Sequence, residues 1–200
     1  MKKLEIMPAV CKMQPIFKSV LAGLLISLAG IVYLNCSDKI VGSFLFSLGL
    51  YAVLEYQGKL FTGMIGSVNS KRSILDCGLA LIFNLLTAVC VGLIFRFTLG
   101  ENLVFDNIVN QSWYKVLIES CICGSLIHIA CTVYKSTKNP LIIVLCVMAF
   151  ILSGSLHSIA CGFYIALGNI SWKAVLYLLL IIIGNSIGAL GIRFLIESKK

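Results

Sequence analysis

Charged side chains are scarce in this chain of 200 residues. Only 12% of the residues are Asp, Glu, Lys or Arg, whereas 60% are hydrophobic and the mean hydropathy is +1.02. A soluble domain of this length carries charge on roughly a quarter of its residues to cover its surface. The scarcity of charge therefore excludes an ordinary soluble domain and predicts a protein whose surface faces lipid.

Patterns of catalytic residues are also missing. The sequence contains no HExxH motif and no Ser-His-Asp set or acidic pair within its apolar segments, and Glu119 has no evident acidic partner. General acid–base and metal-assisted reactions depend on such groups. We therefore expect that the protein is not an enzyme.

The nine cysteines do not follow a disulfide or metal-binding pattern. Seven of them fall inside the long apolar segments, where a thiol behaves as a small hydrophobic group. No CxxC motif occurs, and Cys121 and Cys123 have the wrong spacing for a zinc pair. We expect no disulfide scaffold, no metal site and no cofactor.

Long hydrophobic runs make up most of the chain. A helix needs about 20 apolar residues to cross the hydrocarbon layer, and windows of about that length predict six spans. These cover residues 16–34, 42–66, 74–99, 114–134, 140–167 and 174–195. The second and fifth are long and interrupted by polar residues and glycine. We predict one transmembrane domain over residues 1–200, with repeats at about 16–99 and 114–195.

Basic residues fall mainly on one side of this six-span arrangement. That side carries Lys2, Lys3, Lys12, Lys18, Lys71, Arg72, Lys135, Lys138, Lys199 and Lys200. The other side carries Lys39, Lys115 and Lys173 with the acidic Asp38, Glu101 and Asp106. Because loops rich in Lys and Arg stay in the cytoplasm, we predict a multi-pass protein of the cytoplasmic membrane with both termini inside, and no cleaved signal peptide. This asymmetry accounts for the net charge of +8, and we expect no nucleic-acid partner.

Spans one to three and spans four to six resemble each other weakly. In each half the middle span is interrupted, at residues 56–66 and 153–165. In each half the third span carries an asparagine followed by small residues, at 83–92 and 184–193. With three spans per half, the second half is inverted relative to the first. The interrupted helices of such inverted repeats meet near the bilayer midplane and form the solute site.

Several motifs occur in an order and spacing that is typical of one family of channels. They are LAGLLISLAGIVYL (21–34), FSLGLYAVLEYQGKLFTG (46–63), CICGSLIHIACTV (121–133), FILSGSLHSIACGFYIALGNI (150–170) and GNSIGA (184–189). Through them the chain resembles the formate/nitrite transporter family of bacterial anion channels, as a short and divergent member. Gly124 stands where the family usually has an asparagine.

The resemblance implies an all-α, aquaporin-like bundle that assembles as a homopentamer with a pore through each protomer. It implies that small monovalent anions of weak acids pass, such as formate, nitrite and hydrosulfide. By the same match, Thr62 takes the place of the threonine in the first break and His157 that of the central histidine. The apolar rings that narrow the pore on either side are matched by Phe46, Leu50, Leu60, Phe61 and Phe150.

The chemistry of His157 fits a pore. An ionisable side chain inside a membrane is costly and usually faces a cavity or the bundle interior. Neutral imidazole has one donor and one acceptor, so the Thr62 hydroxyl could satisfy one nitrogen and a solute the other. An anion could draw a proton towards His157, or accept one and cross as a neutral acid at far lower cost. The alternative is a packed core histidine bonded to a backbone carbonyl.

Three further polar side chains inside the spans receive structural interpretations. We interpret Asn84 and Asn185 as residues that cap or brace the broken helices rather than contact the solute. We interpret His128 as a hydrogen-bonding group between helices.

Four further positions, besides Gly124, depart from the family pattern. Lys59 and Leu156 replace acidic residues, Cys161 replaces an asparagine and Asn139 replaces a basic residue. A more positive pore region favours anions, so Lys59 is a candidate substrate-binding residue. Two alternatives stay open: Glu55 pairs with Lys59 if the helix continues there, or Lys59 extends to an interface without contacting solute.

A function from another class also stays open. The bundle could be a pore for neutral solutes, or a scaffold that does not conduct. The only prolines are Pro8, Pro15 and Pro140, so the Asn-Pro-Ala pairs of aquaporins are absent from both breaks.

Overall fold

The chain forms a bundle of helices. The computed structural model describes residues 6–99 and 104–198, with side chains described for residues 13–98 and 104–198. The helices are α1 (Ile6–Asn35), α2 (Lys39–Glu55), α3 (Phe61–Met64), α4 (Lys71–Leu99), α5 (Val104–Val109), α6 (Trp113–Thr137), α7 (Leu141–Leu152), α8 (Ser158–Leu167) and α9 (Trp172–Glu197). A 3-10 turn at Ile65–Ser67 extends α3. Among the residues assigned above to one side of the membrane, Lys2, Lys3, Glu101, Lys199 and Lys200 lie outside the described residues, as does the side chain of Lys12.

Within residues 6–99 and 104–198, four helices are long and apolar enough to cross a membrane. They are α1, counted from Met13, and α4, α6 and α9. Helix α1 packs on α4 and α6 packs on α9, which gives each half of the chain one long pair. Their outer faces carry exposed apolar side chains such as Leu75, Phe97 and Phe194. Such an apolar exterior suits contact with lipid, because the exposed side chains have no polar groups that would need water.

The second and fifth predicted spans are each made of two short helices. In the first half α2 ends at Glu55, and the chain passes through Gln57 at a φ of 54° before α3 begins at Phe61. In the second half α7 ends at Leu152, and Gly154 has a φ of 73° before α8 begins at Ser158. Positive φ values end an α-helix, so both interruptions follow from the local backbone.

The connection between the third and fourth predicted spans contains a short helix. Residues 104–109 form this helix, α5. Its apolar residues Phe105, Ile108 and Val109 are buried in a cluster with Cys161 of α8. Apolar residues at spacings of three and four lie on one helix face, so this face folds against the bundle.

Close contact within each long helix pair depends on a glycine. A Cβ at Gly23 of α1 would lie 2.6 Å from the backbone oxygen of Asn84 on α4. A Cβ at Gly124 of α6 would overlap the backbone oxygen of Asn185 on α9. The asparagine that the family usually has at position 124 therefore cannot be accommodated by this backbone.

Candidate functional site

The two interrupted spans bring a hydroxyl and an imidazole together. Thr62 lies in the first turn of α3, and His157 lies at the N-cap of α8. Thr62 Oγ1 and His157 Nε2 are 2.9 Å apart, a distance that corresponds to a hydrogen bond. Thr62 is completely buried and His157 is 3% exposed, so this contact lies inside the protein.

The hydrogen bonds of His157 determine which nitrogen carries its proton. The backbone N–H of Ala160 donates to Nδ1 at 3.2 Å, so Nδ1 accepts and bears no hydrogen. The neutral ring then carries its proton on Nε2 and donates it to Thr62 Oγ1. Because Thr62 Oγ1 accepts this bond, its own hydrogen points elsewhere. The expectation that one imidazole nitrogen meets the solute is therefore not met in this state: both have protein partners.

Asn84 connects the first break to the surrounding helices. Its Oδ1 accepts a hydrogen bond from the backbone N–H of Phe61 at 2.9 Å, at the start of α3. Its Nδ2 donates to the carbonyl of Ser19 on α1 at 2.7 Å and to the carbonyl of Lys59 at 2.9 Å. The N–H of Phe61 and the carbonyl of Lys59 have no helical partner and depend on this side chain, whereas the carbonyl of Ser19 lies inside α1 and also accepts the intrahelical bond.

Asn185 makes the equivalent contacts at the second break. Its Oδ1 accepts from the backbone N–H of Ser158 at 2.9 Å, at the start of α8. Its Nδ2 donates to the carbonyl of Ser120 at 2.9 Å and to that of Leu156 at 2.8 Å. Asn84 and Ser19 are 65 residues apart in the sequence, and so are Asn185 and Ser120. The two halves therefore hold their breaks by the same set of bonds.

Two cavities approach the buried pair from opposite ends of the bundle. The first, which we name the lysine cavity, has a volume of about 430 Å³ and is lined by Leu50, Leu60 and three lysines, Lys59, Lys135 and Lys138. The second, which we name the histidine cavity, has a volume of about 310 Å³. Its lining includes Phe46, Phe150, Asn107, Gln111 and His157. None of its lining residues among the described part of the chain is an Asp, Glu, Lys or Arg.

The residues predicted to narrow the pore separate into two groups. Phe46 and Phe150 line the histidine cavity with their ring centroids 6.0 Å apart, and Phe150 stacks on His157 at 6.1 Å. Leu50 and Leu60 line the lysine cavity. Phe61 is 4% exposed and lines neither of these two cavities. The two cavities share no lining residue, and Thr62 is in the lining of neither.

Lys59 makes an ion pair that sequence patterns did not predict. Its Nζ lies 3.5 Å from Oδ2 of Asp76 on α4, and both side chains are partly exposed. The interpretation that paired Lys59 with Glu55 is wrong because α2 ends at Glu55. The carboxylate of Glu55 instead accepts a hydrogen bond from the hydroxyl of Tyr134 on α6. Lys59 thus lines the lysine cavity with its charge balanced by Asp76.

Several lining residues were missed by sequence reasoning. Lys135 and Lys138 were assigned only to membrane orientation, yet both line the lysine cavity beside Lys59. Asn107 and Gln111 of the histidine cavity lie between the third and fourth predicted spans, where no site residue was predicted. The surplus of basic residues on one side was the only signal for the first two.

His128 does not form the hydrogen bond between helices that we expected. Its Nδ1 is buried without a partner in the part of the chain that the structure describes. The ring packs against Gly66, where a Cβ would overlap Nδ1. Within the same described residues, no group of three or more His, Cys, Asp or Glu side chains is placed to hold a metal ion.

Comparison with solved structures supports this architecture. The fold is similar to that of a "pentameric formate channel with formate bound", with a TM-score of 0.79 at 17% identity over 94% of this chain and 97% of the other. It is also similar to an "FNT family ion channel", with a TM-score of 0.76 at 19% identity over 96% of this chain and 90% of the other. The predicted all-helical, aquaporin-like membrane fold is thereby confirmed.

Comparison with protein families covers nearly the whole sequence. A search among curated proteins returned no match. The model of the family described as formate/nitrite transporter matches residues 9–197. The resemblance found in the motifs of the two broken spans is confirmed, and so is the expectation of a membrane transport protein rather than an enzyme. The chain therefore belongs to the formate/nitrite transporter family.

Proposed function

We propose that this protein is a channel for small monovalent anions of weak acids, with formate, nitrite and hydrosulfide as the substrate class. The single observation that carries the proposal is the buried contact between Thr62 and His157, because it aims a hydroxyl proton away from the imidazole. A small anion needs such a donor where it loses its water. The family match and the formate bound to a channel of similar fold support the same substrate class.

The imidazole acts through the threonine in this proposal. His157 donates from Nε2 to Thr62 Oγ1, and donation to a hydroxyl oxygen makes the hydroxyl a stronger hydrogen-bond donor in turn. An anion beside Thr62 then accepts from Oγ1 while the ring stays neutral. Protonation of Nδ1 requires the hydrogen bond from Ala160 to open first, since one nitrogen cannot accept that bond and carry a proton.

The apolar residues on either side of Thr62 and His157 favour a neutral form of the solute. Phe46 and Phe150 on one side and Leu50 and Leu60 on the other offer no polar partner. Moving a bare anion through such surroundings costs far more than moving the protonated acid. We propose that the anion is bound at Thr62 and crosses the apolar residues together with a proton.

The lysine cavity attracts anions to one end of this passage. Lys59, Lys135 and Lys138 lie around a concave surface of low polarity, which concentrates the field of their charges. Lys59 is balanced by Asp76, whereas no acidic partner of Lys135 or Lys138 occurs among the described residues. We propose that these two lysines, more than Lys59, raise the local anion concentration.

Replacing Lys135 and Lys138 together with glutamine is expected to lower formate flux from the lysine side about two- to fivefold at low ionic strength. The effect should nearly vanish at physiological salt, where charges are screened beyond about 8 Å. Lys59→Gln should lower flux less, because Asp76 already balances its charge. Lys39→Gln at the opposite end is the matched control, and an equal loss in that variant would show a general charge effect.

We further propose the assembly and the membrane. A channel of similar fold is pentameric, and the exposed apolar faces of the long helices leave room for both lipid and neighbouring protomers. We propose a homopentamer in the cytoplasmic membrane with both termini in the cytoplasm. Native mass spectrometry in detergent should give five copies.

The test of the function is a flux panel in liposomes. Purified protein should carry formate, nitrite and hydrosulfide well above empty liposomes and pass little glycerol. Flux of glycerol or water with none of the weak-acid anions would favour the neutral-solute pore. No flux of any solute from a folded, correctly assembled protein would favour the scaffold.

A further inference from the structure

A third cavity lies apart from the passage. It has a volume of about 230 Å³ and is lined by Ser67, Asn69, His128, Thr132, Arg193 and Glu197, together with Gly66 and Ile196. A cavity needs only about 10–15 Å³ to hold one water, so this space admits a small polyatomic ligand. It shares no lining residue with the lysine cavity or the histidine cavity.

His128 is a buried side chain in the lining of this cavity. The residue is 4% exposed, and its Nδ1 is packed against Gly66 without a partner among the described residues. Burial of an N–H without an acceptor is rarer in proteins than burial of an unpaired acceptor. The neutral ring therefore carries its proton on Nε2, which makes this nitrogen the hydrogen-bond donor of the ring.

Arg193 provides charge and further donors. Its Nε donates to Glu197 Oε1 at 2.9 Å, and one terminal nitrogen donates to the backbone oxygen of Val68. A guanidinium has five N–H donors, so three remain without a partner among the residues that the structure describes. The Glu197 side chain is 61% exposed, which lets it move aside for a stronger anionic ligand. The hydroxyls of Ser67 and Thr132 and the amide of Asn69 complete a lining rich in donors.

From these observations we propose that the cavity is a second anion site that binds a phosphate-type oxyanion. A guanidinium binds such groups through two parallel hydrogen bonds, and His128 and Asn69 supply neutral donors beside it. The source of the phosphate group is a free ion or the headgroup of an anionic lipid. Gly66 and Ser67 belong to the 3-10 turn that follows α3, so a bound anion contacts the same short segment that carries Thr62.

Binding is tested by thermal unfolding of the full-length protein in detergent, with inorganic phosphate added against sodium chloride of equal ionic strength. Phosphate should raise the melting temperature in a saturable way, because a ligand that binds only the folded state stabilises it. Arg193→Gln should weaken the apparent affinity at least about tenfold. Arg72→Gln removes an exposed charge at the start of α4 that lines none of the three cavities, and it should bind phosphate as the wild type does.

Three results would overturn the proposal. The first is a rise in melting temperature with chloride as large as that with phosphate. The second is a loss of phosphate affinity in Arg72→Gln as large as that in Arg193→Gln. The third is loss of the phosphate effect in Thr62→Val, which would place the ion in the passage. If Arg193→Gln does not fold, Asn69→Ala serves in its place, because it keeps the charge of Arg193 and should weaken phosphate binding several-fold. Unchanged phosphate affinity in Asn69→Ala would contradict the proposed set of hydrogen-bond donors and with it the site.

Nanodiscs distinguish the two sources of phosphate. If inorganic phosphate has no effect in detergent, the wild type should melt at a higher temperature in phosphatidylglycerol nanodiscs than in phosphatidylcholine nanodiscs. Asn69→Ala should melt at the same temperature in both. That result assigns the site to a lipid headgroup. No effect of either source overturns the proposal, and none of these readouts depends on transport.

Discussion

Replacing Asn185 with leucine is expected to destabilise the protein by about 3 kcal/mol. The substitution leaves the N–H of Ser158 and the carbonyl of Leu156 without their partner, while the carbonyl of Ser120, inside α6, keeps its intrahelical bond. Each buried polar group left unpaired costs about 1–3 kcal/mol. For a chain of this size the melting temperature should fall by about 6–12 °C. Thermal unfolding in detergent, followed by size-exclusion chromatography, measures the change.

Asn84→Leu should lower the melting temperature by a similar amount, because Asn84 makes the same three bonds at the first break. Asn35→Leu is the matched control. Its side chain is exposed and bonds only to the carbonyl one turn earlier in α1, so the change should stay within about 0.5 kcal/mol. Equal melting temperatures for Asn185→Leu and Asn35→Leu would contradict the bracing role.

Replacing His157 with asparagine is expected to reduce formate flux roughly 10- to 100-fold. The shorter side chain does not reach Thr62, so the hydroxyl loses the donor that strengthens it. Hydrogen bonds to charged groups contribute about 1.5–3 kcal/mol, and 1.4 kcal/mol corresponds to about tenfold in rate. Stopped-flow measurement of formate uptake into liposomes gives the rate.

Asparagine is chosen because it preserves the helix cap. Asparagine is among the preferred residues at an N-cap, where its side-chain oxygen accepts a hydrogen bond from a backbone N–H of the first turn. The melting temperature of His157→Asn should therefore remain near that of the wild type. His157→Leu removes both the cap and the donor, and it should lose flux together with about 1 kcal/mol of stability. Unchanged flux in both variants would contradict a role for the imidazole in transport.

The sequence was sufficient to predict the two broken spans. Polar and small residues interrupt apolar runs that are longer than a single span requires, and the LFTG and HSIA motifs lie at those interruptions. The structural comparisons confirm the fold that follows. Helix α5 was missed because its six residues are too few for a periodic pattern to stand out from a loop.

The partners of individual side chains could not be predicted in the same way. Glu55 and Lys59 are one turn apart in sequence, but the chain bends between them and each meets a residue from another helix. Asp76 and Tyr134 become their neighbours only after the bundle packs. Likewise, an asparagine followed by small residues indicated a bracing role for Asn185 but not the three backbone groups that it binds.

The most direct test of the central claim compares Thr62→Val with Thr62→Ser in the same formate uptake assay. Valine has nearly the shape of threonine without its hydroxyl, whereas serine keeps the hydroxyl. The account predicts that Thr62→Val loses most of the flux while Thr62→Ser retains much of it, at equal amounts of folded protein. Wild-type flux in Thr62→Val would contradict the claim that this hydroxyl binds the passing anion.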